Sequence, residues 1–91
     1  MQPKREEILE VIYRVIRKTL KNDTLILTAD IKLIDDLQAD WMDEADILMT
    51  LDESYPGIYI INFVFDGRNL GDLADFICNA KPAEEQQEEH A

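Results

Sequence analysis

The first 21 residues place apolar side chains at intervals of three and four, a pattern that predicts an amphipathic helix. Ile8, Ile12, Val15 and Ile16 fall on one face of that helix. Basic residues gather toward its end, where the helix dipole favours positive charge. We therefore expect a helix over residues 4–21 whose apolar face belongs to the core of a globular domain.

Residues 22–40 show no helical period and predict a long connection. The segment TLILT at 24–28 is either a short strand or a buried loop. Leu33, Ile34 and Leu37 are expected to anchor the connection to the core. A connection of this length is unusual in a compact domain and calls for a functional or a family reason.

A second amphipathic helix is predicted to begin after Asp40, whose carboxylate can accept a hydrogen bond from a first-turn N–H group. Pro56 and Gly57 end it at about residue 55. The inward stripe is expected to comprise Ala45, Leu48, Leu51 and Tyr55. Another side carries the residues that we call the acidic ridge: Asp43, Asp46, Thr50 and Glu53.

The rest of the chain contains one ambiguous apolar segment, one further helix and a polar end. Residues 58–65, IYIINFVF, have the composition of a strand but are also short enough for a single helical turn. They either fill the core or form an exposed patch for a dimer or partner contact. A last helix is expected over 70–80. Residues 82–91 lack an apolar pattern, which predicts a disordered acidic tail behind one domain at 1–81.

The charge distribution narrows the class of partner. The net charge is −11, and residues 22–57 hold ten acidic residues and one basic residue. Such a middle repels nucleic acid and anionic lipid and steers basic protein surfaces toward it. No run of 18 apolar residues predicts a membrane span, and no secretory signal is visible. With a single cysteine, Cys78, we expect a cytoplasmic protein.

Catalytic patterns are weak throughout the chain, so we expect no enzyme activity and no metal site. The single histidine, His90, falls in the expected tail, and the single serine, Ser54, near the far end of the second helix. Carboxylates on a helix face are usually solvated rather than catalytic. The acids at 35, 36, 40 and 43 lack the order of an EF-hand loop.

The order of helix, long loop, acidic helix, short irregular element and last helix resembles the acyl carrier proteins over roughly residues 6–80. The core of the resemblance is IDDLQADWMDEADILMTLDESY at 34–55. The family pattern there is an acidic residue, Leu, Gly, any residue and Asp-Ser-Leu. Asp40 matches the Asp, whereas Gln38 replaces the Gly, Trp41 the Ser and Met42 the Leu. The resemblance implies an all-α four-helix bundle with three main helices and one short or irregular third element.

The resemblance also implies what this chain lacks. In the family, the Ser hydroxyl carries a 4′-phosphopantetheine arm, and acids of the second helix dock on Lys and Arg patches of partner enzymes. Asp40 and Trp41 mark the cofactor position here, but Trp41 has no hydroxyl, so we expect no phosphopantetheine and no other cofactor. We call the expected partner-binding residues the docking face: Asp40, Trp41, Met42, Asp43, Asp46, Met49, Asp52 and Glu53.

Three functional hypotheses remain open at this point. The first is an acyl-carrier-like binding protein without the attachment serine, which docks on a basic partner such as a carrier-dependent enzyme of lipid or polyketide synthesis. The second is a stand-alone bacterial interaction, immunity or stress protein that reuses the fold. The third is a working carrier with an unusual or engineered substitution at Trp41. We expect a monomer, or a weak homodimer formed through residues 58–65.

Overall fold

A computed structural model of the chain describes residues 4–80, and all of the regular elements in this range are helical. Helix α1 spans Arg5–Thr19, α2 spans Trp41–Ser54, a 3₁₀ turn spans Ile60–Asn62, and α3 spans Leu70–Asn79. The all-α prediction is thus confirmed for the described range. The expected tail at 82–91 lies outside the described residues.

Helix α1 ends two residues earlier than its apolar period predicted. Lys21 has a positive φ of 56°, a left-handed conformation that an α-helix cannot continue through. The Lys21 amide donates to the carbonyl of Lys18, and the Asn22 amide donates to that of Arg17. These two bonds form a Schellman motif, which satisfies the last carbonyls of the helix.

A single apolar core joins the three helices, because α1 packs against both α2 and α3. The predicted inward face of α1 is confirmed, since all four of its residues are buried. On α2 the prediction was partly wrong, because Ile47 is buried with Leu48 and Leu51, whereas Ala45 and Tyr55 are only partly buried. α2 is covered by α1 and also by the 3₁₀ turn. A helix that packs against two neighbouring elements needs an apolar face wider than a single line of residues.

The long connection between α1 and α2 packs onto the core and contains no strand. Leu33 is buried, and Ile34 and Leu37 are partly buried, so all three anchors contact the core as predicted. In the segment at 24–28, Leu27 is buried whereas the Ile26 side chain is 84% exposed. The segment is therefore a loop that contributes part of its apolar residues to the core.

The same connection caps α3. The Gly71 amide donates to the carbonyl of Ala29 at 2.7 Å, and the Leu70 amide donates to that of Ile31 at 2.9 Å. A Cβ atom on Gly71 would lie 2.6 Å from a guanidinium nitrogen of Arg5 and 3.2 Å from the Ala29 carbonyl oxygen. Glycine at position 71 thus permits the close approach of the connection and of α1 to the start of α3.

Residues 58–65 contribute some side chains to the core and expose others, and the predicted dimer or partner contact through them stays a prediction. Ile60, Phe63 and Phe65 are buried, and the Phe63 ring meets the Phe65 ring edge to face with centroids 5.1 Å apart. Exposed apolar side chains alternate with them: Tyr59, Ile61 and Val64. The segment is a 3₁₀ turn followed by extended chain, not a strand.

Candidate protein-binding site

A reciprocal capping box holds the start of α2. The Asp43 amide donates to the Asp40 carboxylate at 2.9 Å, and the Asp40 amide donates to the Asp43 carboxylate at 3.4 Å. The N-cap role predicted for Asp40 is confirmed. Both carboxylates lie near the positive end of the helix dipole, which favours them there.

The backbone just before this cap turns through a left-handed residue, Gln38, with a φ of 55°. The Gln38 amide donates to the carbonyl of Ile34, and the Ala39 amide donates to that of Leu33. These two backbone hydrogen bonds stabilise the turn at residues 33–39 that precedes α2. Residues with a Cβ are sterically disfavoured in this conformation and glycine is not. The physical preference at position 38 is therefore for glycine, although the chain has glutamine.

Trp41, the first residue of α2, lies on the surface and is 76% exposed. Neither of the two aromatic ring pairs among residues 4–80 includes it. Trp41 therefore does not plug an internal pocket, and its ring is available for an external contact.

Four residues form one outward line along α2. Met42, Asp46, Met49 and Glu53 are separated by four, three and four positions, which places them on one side of a helix. Met42 is 58% exposed and Met49 is 56% exposed, with the exposed carboxylates of Asp46 and Glu53 beside them. By the helical period Trp41 lies on one flank of this line and Asp43 on the other.

The acids of the docking face have no basic partner within residues 4–80. The one ion pair found there joins the Arg5 Nε to an Asp75 carboxylate oxygen at 2.6 Å, between α1 and α3. Asp40, Asp46 and Glu53 are exposed, whereas Asp43 and Asp52 are partly buried. The acids of this face thus form no salt bridge, large exposed apolar side chains lie among them, and the two partly buried acids contribute less accessible surface.

At its far end, α2 lies beside the first half of α1. Tyr55 has a pKa raised above its usual value of 10.0, first because the phenol is partly buried and second because the negative charge of Glu7 disfavours the phenolate. Tyr13 on α1 has a raised pKa for the same leading reason. Both phenols belong to side chains that pack against the hydrophobic core.

The hydroxyl groups of α2 are directed to their own helix. The Thr50 hydroxyl donates to the Asp46 carbonyl at 2.8 Å, and the Ser54 hydroxyl donates to the Thr50 carbonyl at 3.2 Å. Within residues 4–80 no three His, Cys, Asp or Glu side chains are grouped so that they could share a metal ion.

No helix among the described residues is both long and apolar enough to cross a membrane. Comparison of the chain with protein family models, with curated proteins and with solved structures finds no match.

Proposed function

We propose that this chain is an acyl-carrier-like binding protein without catalytic activity, which docks through α2 on a basic protein partner. The observation that carries the proposal is the outward line of α2, where exposed Met42 and Met49 alternate with exposed Asp46 and Glu53. Apolar anchors supply binding energy at about 25 cal/mol per Å² removed from water. Unpaired acids add orientation and a fast, salt-sensitive approach to the partner. The partner surface then needs an apolar pocket rimmed by Lys or Arg.

Three local features support the likeness to a carrier protein. The cap at Asp40 begins the acidic helix, a short helical element at Ile60–Asn62 precedes the last helix, and Gln38 adopts a left-handed conformation at the position where the family pattern has Gly. The four-helix bundle of those proteins, with its short third helix, is the fold that we propose. A cytoplasmic carrier-dependent enzyme is the partner class that follows from it.

The proposal includes the loss of carrier chemistry. A phosphopantetheine arm needs a hydroxyl at the first position of α2, and Trp41 has only an indole there. Intact-mass measurement after incubation with coenzyme A and a broad-specificity phosphopantetheinyl transferase tests this loss. We expect no adduct on the chain that has Trp41. An adduct on it would contradict the proposal and favour a working carrier.

The Trp41→Ser variant separates the carrier-like protein from the unrelated interaction protein. A mass increase of one phosphopantetheine arm on this variant shows that the transferase still recognises the rest of the surface. Because Trp41 is exposed, the substitution should leave the fold intact, which circular dichroism can check. A folded variant that stays unmodified would favour a stand-alone interaction, immunity or stress protein.

Docking itself is tested with an immobilised chain and the partner captured on it. Trp41→Ala should weaken capture by about 30-fold if Trp41 is an energetic anchor, which corresponds to about 2 kcal/mol. The double charge reversal Asp43→Lys and Asp46→Lys should weaken it most at low salt. Asp35→Lys with Asp66→Lys is the charge-matched control, because both are exposed acids outside α2. Equal capture by all of these variants would refute docking through α2.

A further inference from the structure

A groove lies between the last part of α1 and the middle of α2. Its volume is about 420 Å³. One wall comes from residues 15–21, at and just after the end of α1, and the other from residues 46–53 of α2. Antiparallel packing of the two helices explains this pairing, since the charge of Glu7 in the first turn of α1 acts on Tyr55 at the end of α2.

The two walls have opposite charge. Lys18 and Lys21 stand on the α1 wall, and Asp46 and Glu53 stand on the α2 wall. No salt bridge crosses the groove in the described part of the chain. The exposed Met49 lies between the two acids along α2. Each wall therefore offers a pair of like charges without a salt bridge, and the α2 wall adds the exposed side chain of Met49.

Local structure holds both pairs in place. Lys21 occupies the left-handed position of the Schellman motif, so the backbone hydrogen bonds at the end of α1 fix its backbone conformation. Asp46 and Glu53 are seven residues apart, two helical turns, and so project from one side of α2. Lys18 lies in the last turn of α1, where its charge also suits the helix dipole.

A groove with one positive wall and one negative wall is complementary to itself under a two-fold rotation. In such an arrangement the positive wall of one copy faces the negative wall of the other, so Met49, which lies between the two acids, faces the lysine wall of the other copy. Isologous contacts require this kind of self-complementary surface. We infer that the α1–α2 groove binds a second copy of this chain, with Lys18 and Lys21 of each copy paired to Asp46 and Glu53 of the other.

The contact is small, so the dimer is weak. The surface area that lines the groove is far smaller than the about 1,200 Å² or more of total surface that stable complexes bury. The net charge of −11 on each copy also opposes association. Because Asp46, Met49 and Glu53 belong to the docking face as well, self-association competes with partner binding. The inference itself stands without the proposed partner, since it rests on the groove alone.

Charge reversal distinguishes pairing through this groove from an effect of net charge, because the two predict opposite changes in dimer formation for the α2-wall variant. Analytical ultracentrifugation of the full chain from about 10 µM to about 1 mM, the range of weak association, should show a concentration-dependent dimer. Reversing the α2 wall with Asp46→Lys and Glu53→Lys lowers the net negative charge, yet it should abolish the dimer. Reversing the α1 wall with Lys18→Glu and Lys21→Glu should do the same. An equimolar mixture of the two double variants should form a heterodimer tighter than the wild-type dimer.

Two control variants distinguish pairing through this groove from a general charge effect and from a contact through residues 58–65. Asp35→Lys with Asp66→Lys changes the net charge as much as the α2-wall variant but alters acids elsewhere, so its dimer should persist. Ile61→Ser should leave the dimer intact. If this variant were monomeric, the contact would be assigned to residues 58–65 and the inference would be overturned. A monomeric wild-type chain at the highest concentration would overturn it too, as would a mixture of the two double variants that stays monomeric. Circular dichroism confirms that each variant is folded.

Discussion

The amide of Gly71 donates a hydrogen bond to the carbonyl of Ala29 at 2.7 Å, which joins the first turn of α3 to the long connection between α1 and α2. The neighbouring Leu70 amide bonds to Ile31. First-turn amides of a helix have no partner within the helix, and here the connection supplies their partners. The long connection is thus part of the packed structure rather than a free linker.

Hydrogen exchange followed by NMR should distinguish the starts of α2 and α3. The Leu70 and Gly71 amides should exchange slowly, because connection carbonyls accept from them. The Trp41 amide, at the exposed first position of α2 and without a partner among the described loop and cap bonds, should exchange fast. Equal exchange at Trp41 and Gly71 would show that the connection does not cap α3 in solution.

Loss of the α2 cap should destabilise the domain. Asp40→Ala removes the carboxylate that accepts from the Asp43 amide, and N-cap deletions cost about 1 kcal/mol. We expect a decrease of this size in the free energy of unfolding, measured by urea denaturation. Asp40→Asn is the matched control, because asparagine removes the charge and still caps. A decrease as large for Asn as for Ala would assign the effect to charge rather than to capping.

Glycine at position 38 should stabilise the fold. The left-handed conformation of Gln38 costs a residue with a Cβ about 1–2 kcal/mol. Glycine removes this steric cost, but its greater conformational freedom in the unfolded chain offsets part of the stabilisation. Gln38→Gly should therefore raise the free energy of unfolding by about 0.5–1 kcal/mol, as urea denaturation would measure it. Gln38→Ala keeps the steric cost and should bring no increase. If alanine stabilised the domain as much as glycine, the left-handed turn would be refuted.

Two adjacent isoleucines in the 3₁₀ turn should respond differently to truncation. Ile60 is fully buried, so Ile60→Ala should lower the free energy of unfolding by about 2–5 kcal/mol through lost burial and a cavity. The Ile61 side chain is about half exposed, so Ile61→Ala should change stability by no more than about 0.5 kcal/mol. Urea denaturation of both variants tests the register of the segment, and similar losses would contradict it.

Stability should fall in alkaline solution partly through Tyr55. Burial first, and the charge of Glu7 second, raise the pKa of Tyr55 in the folded state above 10.0. Above that value the unfolded chain loses the phenolic proton more readily than the folded chain does. The free energy of unfolding therefore decreases as pH rises through the folded-state pKa. Tyr55→Phe should make the decrease shallower in urea titrations between about pH 9 and about pH 11, around the ordinary tyrosine pKa, and an unchanged slope would exclude the Tyr55 contribution.

Local sequence signals are sufficient to predict much of this molecule. The 3.6-residue period locates α1, Asp40 predicts the start of α2, and Pro56 with Gly57 places its end within one residue. These features depend on neighbours a few positions away, so they can be predicted without knowledge of the fold. The candidate site on α2 can be predicted in the same way, because helical spacing alone places its exposed acids and methionines on one side of the helix.

Contacts between distant parts of the chain decide the rest. Ile47 is absent from the predicted core because only the joint packing of α1 and the 3₁₀ turn against α2 makes its side buried. The alternation of buried and exposed residues at 58–65 likewise depends on how this segment packs against core residues that are distant in the sequence. In the sequence Lys18 and Lys21 indicate only the end of one helix, and nothing there places them opposite Asp46 and Glu53.

The sequence by itself therefore determined the three main helices, the Asp40 cap of α2 and the charge of each face, because these follow from local geometry and composition. Only the tertiary structure decided that Trp41 lies outside the core, that the connection caps α3, and that two oppositely charged walls form one groove. Each of these depends on where one helix meets another, which side-chain periodicity along a single helix does not specify.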